Sequence, residues 1–463
     1  MAQRLIVVGG DAAGMAAASQ ARRRRDRADL EIVAFERGHS TSYSACGIPY
    51  WISGVVPERD QLVARDPATF RADFDIDVRL RHEVTAIDLA RREVVARDLD
   101  GGGEVRERFD ELVYATGAVP KRPDWAGPEV RGVFGVQTLD DASALRAWLD
   151  AEPSPRRAVV VGGGYIGVEM AEALIQRGLS VTLVERADQP MSTVDPDMAA
   201  LVADAMRGVG IDIRTGVEVT GLDERAGRVS AVVTTDGPLP ADVVVLGLGV
   251  RPDTALAEAA GLPIGVSGGI RVDRRMRVPG APGVWAAGDC VETLHRVSGL
   301  PVHVPLGTHA NKQGRVAGIN LGGGYATFPG VIGTAVTKVC DLEVGRTGLR
   351  EREATASGFE FVSVRAESTN RAGYYPGART MTVKLIAERS SGRLLGAQIV
   401  GWSEAAKRID TLAVALWNEM TVDEMTALDL GYAPPYAPVW DPVLIAARKA
   451  VDALHHAQGR APC

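Results

Sequence analysis

Twice along this chain a short apolar run breaks into a glycine-rich turn and resumes as a helix. In the second copy, Ala158–Val161 leads into GGGYIG, which sets Gly162, Gly164 and Gly167 ahead of VEMAEALIQRG. The next apolar run, Ser180–Val184, ends in Glu185, 18 residues after Gly167. A turn without side chains at a helix N-terminus lets backbone N–H groups and the helix dipole meet a pyrophosphate. An acidic residue ending the following strand then accepts from the adenosine ribose. The first copy runs through Val7, Val8, Gly9 and Gly14, and its second strand, Leu30–Phe35, ends in Glu36, 22 residues beyond Gly14. Asp11 stands where its middle glycine belongs. One such match is weak; two with their parts in order predict two βαβ dinucleotide-binding units.

Two more apolar runs, Glu111–Gly117 (ELVYATG) and Gly283–Asp289 (GVWAAGD), fit the first unit, whereas Ala241–Asp253 closes the second. The simplest organisation inserts the second unit into the first: residues 1–120 with 250–325 form one domain, and 121–249 the other. From about Thr327 the texture changes to successive strands followed by helices at Glu404–Asn418 and Val422–Leu428. Residues 326–463 are therefore expected to form an α+β domain with no dinucleotide signature. The fold class is α/β, with two Rossmann-like domains and this third domain.

Composition narrows the function. A net charge of −7 argues against nucleic acid or anionic lipid as partner. No apolar run approaches the roughly 18 residues of a membrane span. MAQRLIVVGG enters a strand at once, so no cleavable leader and a cytoplasmic location are expected. Cys46, Cys290, Cys340 and Cys463 make neither a disulfide framework nor a zinc-ligand pattern, and no metal is expected.

The Gly9–Gly14 turn with Glu36, GGGYIGVE at 162–169, ATG at 115–117 and AAGD at 286–289 resemble the pyridine nucleotide–disulfide oxidoreductases, over essentially the whole chain. The resemblance implies FAD in the first unit, NADH or NADPH in the second, and a homodimer made by the third. Carried over by position, Gly9, Gly10, Ala13, Gly14, Glu36, Arg37, Thr116, Gly117, Gly288 and Asp289 would contact FAD. Gly162, Gly164, Tyr165, Ile166, Gly167, Glu169, Glu185, Arg186 and Gly249 would serve the nicotinamide cofactor. Tyr165 would gate its pocket, and Glu169 would lie near the nicotinamide. Glu185 would repel a 2′-phosphate, while the adjacent Arg186 could hold one, so the choice between NADH and NADPH stays open.

Most of that family carries a dithiol and a C-terminal His–Glu pair, and both are missing here. Instead TSYSACGIPYWISG, NRAGYYPG at 370–377 and GYAPPYAPVWDP at 431–442 resemble its single-cysteine branch: coenzyme A-disulfide reductases and their NADH oxidase and persulfide reductase relatives. The resemblance implies that Cys46 forms a mixed disulfide with a small thiol. Tyr375 and Tyr432 of the partner subunit would act as acids, and Gln20, Arg23, Ser42 and Tyr436 would touch coenzyme A. The run Arg22–Arg25 would suit its phosphates. Ala45 and Trp440 depart from that branch's Asn and Lys, which leaves open the thiol carrier and whether it arrives as disulfide or persulfide.

Cys46 precedes Gly-Ile-Pro, a helix-starting sequence, and a thiol at a positive helix end is expected to have a lowered pKa. Cys290 is expected in the core, Cys340 in a strand and Cys463 in a mobile tail, HHAQGRAPC, that begins at His455. Two rival readings remain. A peroxide- or oxygen-reducing oxidase would cycle Cys46 through a sulfenic acid, but those relatives carry a His where this chain has Ala12. An electron-transfer reductase for a protein partner would lack both the cysteine loop and the tyrosine loops.

Overall fold

The computed structural model describes residues 2–127, 130–457 and 459; Cys463 lies outside them. Five parallel strands form the first sheet, in the order Val284–Ala286, Glu111–Tyr114, Gln3–Val8, Leu30–Phe35, Asp77–Arg79. Helices cover such a sheet on both faces, so its strands are apolar throughout: Leu5–Val8, Ile32–Phe35 and Leu112–Tyr114 are all buried. The strand order reverses beside Gln3–Val8. That reversal opens a crevice at the carboxyl ends of the strands, where Gly9, Glu36 and Ala115–Gly117 follow. One core joins residues 5–115 to residues 257–331.

The second sheet is also parallel, ordered Asp212–Thr215, Ser180–Glu185, Arg157–Val161, Val243–Leu246, Val133–Gly135. The chain leaves the first sheet along Ala118–Pro120 and returns along Val250–Pro252, and these two segments pair antiparallel. Each unit also carries a small three-stranded antiparallel sheet, His82–Arg108 and Val219–Pro240, that the sequence reading did not identify.

The third domain is a five-stranded antiparallel sheet ordered Ala335–Val339, Leu342–Gly348, Leu394–Gly401, Thr380–Glu388, Phe361–Thr369. The expected helices appear as Ala405–Trp417 and Val422–Thr426. A further helix, Pro442–Ala457, corrects the expectation of a loose tail, because His455 and His456 belong to its last turn. Its buried Val443, Ala446, Ala447, Ala450, Val451 and Leu454 recur at helical spacing and seal the core of this domain. Among the described residues no helix is long and apolar enough to cross a membrane, and no His/Cys/Asp/Glu group could hold a metal ion.

Candidate active site

The two glycine-rich turns are built alike. Gly9 has φ +104° and Gly162 φ +100°, conformations that favour glycine, and a Cβ on either would strike a carbonyl of the neighbouring strand end, Ala115 or Gly247. Gly10 N–H donates to Glu36 Oε2 at 2.9 Å, and Gly38 N–H to Oε1 at 2.7 Å. In the second copy Gly163 and Ala187 donate to the two oxygens of Glu185 at 2.6 and 2.8 Å. Each carboxylate is thus oriented by two backbone donors and keeps lone pairs for a ribose. Arg186 is exposed beside Glu185, and Gly249 is exposed with φ +77°.

The first crevice fits FAD. A cavity of about 500 Å³ extends from Glu36 and Arg37 past Tyr43, Arg81, Lys121 and Gln137, where the adenosine half would lie. Ala13 is buried against Gly288, whose N–H donates to Gln313 Oε1 at 2.8 Å. Burial raises the Asp289 carboxyl to about 6, and a ribityl hydroxyl would give such a group a partner. Thr116 Oγ1 donates to the Asp253 carbonyl at 2.7 Å, which leaves Gly117, φ +74°, with open space before it.

On the nicotinamide side, the helix Tyr165–Gln176 carries Tyr165, Ile166, Gly167 and Glu169. Among the described residues the buried Tyr165 hydroxyl makes no geometrically good hydrogen bond and lies nearest Thr193, so a polar ligand group entering there would give it a partner.

Cys46 stands where these parts converge. Its loop is pinned to the first turn: Thr41 Oγ1 donates to Gly10 O, Ser42 N–H to Gly10 O at 3.3 Å, and Tyr43 N–H to Asp11 Oδ1 at 3.2 Å. Ser44 N–H to Leu62 O and Ala64 N–H to Ser42 O, both 2.8 Å, tie its other side. Asp11, a departure from the glycine pattern, therefore anchors the cysteine loop. Cys46 itself occupies a single turn, Ala45–Gly47, ahead of the six-residue helix Ile48–Ser53 with Pro49 in its first turn.

The expected lowering of its pKa does not hold. Although the residue is solvent-accessible, surrounding protein desolvates the thiol and raises its pKa, and the charges of Glu169 and Asp289 add to the rise. So short a helix does not outweigh two carboxylates. Both carboxylates are thus near enough to act on Cys46, and the helix Ile48–Ser53 that follows it packs against the helix Tyr165–Gln176 that carries Glu169. Cys290 is fully buried, its thiol pushed up to about 12 by desolvation; Cys340, expected in a strand, instead occupies the turn between Ala335–Val339 and Leu342–Gly348, with φ +57°.

The remaining candidates separate into two groups. Tyr374, Tyr375, Tyr432 and Tyr436 are exposed together with Val439 and Trp440. Ala372 N–H donates to Pro434 O at 3.1 Å, and the Tyr374 phenol lies beside that of Tyr432, so the two loops make one patch. Among the described residues no hydrogen bond joins this patch to the Cys46 loop of the same chain. Gln20, Arg23 and Ser42 lie along the first unit. The basic run is not a uniform phosphate patch: Arg22 is spent on the carbonyls of Phe74 and Leu30, Arg25 on Asp29 O and Gln3, and Arg24 on Gln20. Arg23 instead lies over the Phe74 ring with Arg65, each 5.6 Å from its centroid. Arg65 follows Ala64, the strand partner of Ser42, and sequence reasoning missed it because only that pairing brings it to the cysteine loop.

Comparison with known proteins agrees with this layout. The family model for pyridine nucleotide-disulphide oxidoreductases matches residues 3–314, and the model of their dimerisation domain matches residues 334–442. A NAD(P)H coenzyme A polysulfide/persulfide reductase of Pyrococcus horikoshii is 37% identical over 449 residues, covering 97% of this chain and 98% of that protein. A NADH oxidase of Methanocaldococcus jannaschii is 36% identical over 452 residues, 97% and 99% of the two chains. The solved structure of a NAD-dependent persulfide reductase from A. fulgidus superposes with a TM-score of 0.93 at 41% identity, over 98% of this chain and 84% of that one. With both halves of the fold and the full run of motifs accounted for, this chain belongs to the pyridine nucleotide-disulphide oxidoreductase family.

Proposed function

We propose that this protein uses FAD and NAD(P)H to reduce a coenzyme A disulfide or persulfide through Cys46. The observation that carries the reading is the position of Cys46, near enough to Asp289 of the FAD crevice and Glu169 of the nicotinamide helix for both charges to act on it, with no second cysteine beside it in the sequence. In this reading residues 1–120 with 250–325 hold FAD, 121–249 the nicotinamide, and 326–463 make a homodimer. FAD bound in the first crevice supplies a two-electron relay between nicotinamide and sulfur. A reductase with free thiols operates in a reducing compartment, the cytoplasm.

The chemistry of the chain's own residues follows. The Cys46 thiolate attacks one sulfur of RSSR; a Cys46–S–S–R bond forms and RS⁻ departs. Tyr375 of the partner subunit and Tyr432 of the partner subunit present phenols that protonate the leaving sulfur. Two electrons from NAD(P)H then cleave the mixed disulfide and return the Cys46 thiolate. The sum is NAD(P)H + H⁺ + RSSR → NAD(P)⁺ + 2 RSH. A persulfide RSSH enters at the same step, with HS⁻ as leaving group. A raised thiol pKa makes the thiolate formed by reduction the stronger nucleophile, since nucleophilicity rises with basicity.

Arg23 and Arg65, paired over Phe74, favour a phosphorylated carrier. Replacing either with Met is expected to raise KM for coenzyme A disulfide about tenfold, the loss of one charge-assisted hydrogen bond. Pantetheine disulfide, which lacks the phosphates, should be unaffected. Equal losses with both substrates would remove the carrier from this surface. For the nicotinamide, NADH is expected to serve at least as well as NADPH, because Glu185 is aimed by two backbone donors. Glu185→Ser should raise the NADPH/NADH ratio of kcat/KM about tenfold; a wild-type preference for NADPH above tenfold contradicts this.

A further inference from the structure

We propose that Thr337, in the third domain, is a positioning residue of the nicotinamide site that fixes the carboxylate of Glu169. The inference rests on the reading that Glu169 lies beside the nicotinamide.

Glu169 and Glu172 lie one turn apart on the helix Tyr165–Gln176, and both meet the end of the strand Ala335–Val339. The strand treats them differently. Glu172 receives a full cation, Lys338 Nζ at 2.5 Å from Oε1, and the N–H of Cys340 at 2.8 Å from Oε2. Among the described residues Glu169 receives no cation, only the neutral hydroxyl of Thr337, Oγ1 at 2.6 Å from Oε1. Thr337 is buried, so no water takes its place readily. The charge on Glu169 is thus oriented but not neutralised.

The contact is rigid because the third domain grips the second at several further points. Arg346 donates to Thr193 O at 2.9 Å, Gln398 Nε2 to Asp195 Oδ2 at 2.6 Å, and buried Lys384 pairs with Asp195 at 3.2 Å. Tyr165 and Glu172 act on Glu169 from its own helix, Thr337 from the strand, and Cys46 and Tyr50 from the cysteine segment, while Lys338 is held on Glu172. Burial favours the protonated form of Glu169, the Thr337 hydrogen bond opposes it, and Glu172 again favours it.

An oriented carboxylate matters because loss of hydride turns the neutral dihydronicotinamide into a cation. A preorganised negative charge beside the ring favours that product. Removing the hydroxyl leaves burial and Glu172 unopposed, so Glu169 takes up a proton at a higher pH. The preference for the cation is then lost over the interval between the two titrations and returns above it.

The test measures equilibrium dissociation constants of NAD⁺ and of a tetrahydronicotinamide analogue of NADH, whose neutral ring cannot give up hydride, for the FAD-loaded dimer across the neutral and mildly alkaline range. Thr337→Val, nearly isosteric, should weaken NAD⁺ relative to the analogue by about fivefold over the pH interval in which Glu169 is protonated in the variant and ionised in the wild type, with the gap closing above that interval. Thr337→Ser should restore the wild-type ratio, which a packing role for the methyl would not do. An unchanged ratio in Thr337→Val across the pH range overturns the proposal, as does a serine variant that behaves like valine. Glu169→Gln should show the weakened ratio at every pH. If Glu169→Gln alters neither constant, the failure lies instead in placing the nicotinamide beside Glu169.

Discussion

Cys46→Ser is expected to retain the fold and the flavin but to lose turnover of coenzyme A disulfide or persulfide by at least about 10³-fold. Serine differs little in size, and the side chain is solvent-accessible, so little packing is at stake. What disappears is chemical: an alkoxide is out of reach at neutral pH, and no exchangeable disulfide can form. Oxidation of one equivalent of NADH in a single turnover should survive, because it needs only the two dinucleotide sites. Intact mass of untreated wild type should show a thiol adduct that the serine variant lacks, and its mass names the carrier. A single added oxygen would instead favour an oxidase that cycles Cys46 through a sulfenic acid. Wild-type disulfide turnover by Cys46→Ser would end the mechanism.

The parts of this site that were legible in the sequence are those whose chemistry is local. A glycine turn and a carboxylate about 20 residues later report one βαβ unit, and the structure gives Glu36 and Glu185 the same pair of backbone donors. Cys46 was legible from its own loop. Its pKa direction was not, because that depends first on burial by surrounding protein and then on Glu169 and Asp289, contributed by a second domain and by the far side of the insertion. Thr337 is an ordinary strand residue 168 positions from Glu169, and nothing in its neighbours marks it. The helix Pro442–Ala457 was a different kind of miss. Its apolar spacing is plain in VLIAARKAVDAL, yet the helices expected from the sequence stop at Val422–Leu428, and His455 and His456 fall in the polar HHAQGRAPC, expected as a mobile tail.

The tyrosine patch leads to the second large effect. Four tyrosines, Val439 and Trp440 exposed on one protomer form an unusual surface unless another chain covers it. Arg408 holds the patch in shape, with Nη2 donating to Asn370 O at 3.0 Å and Tyr436 O at 2.6 Å, and Nε to Asp441 at 3.0 Å. Loops held this firmly are set to meet a defined surface, and a dimerisation domain matches residues 334–442. If they complete the neighbouring site, the double variant Tyr375→Phe/Tyr432→Phe should lower kcat about 10²- to 10³-fold, the scale of a lost general acid. Cys46 should remain open to alkylation in that variant. The sharper experiment mixes two dead proteins. A dimer of one Cys46→Ser chain and one double-tyrosine chain has one site with neither function and one with both. Unfolding and refolding the two together should therefore recover about a quarter of wild-type activity, since half the dimers are mixed and each carries one good site. Acids supplied from within the same chain would leave every site in the mixture defective. No recovery, in refolded dimers shown to be mixed, would mean that each Cys46 works with the tyrosines of its own chain.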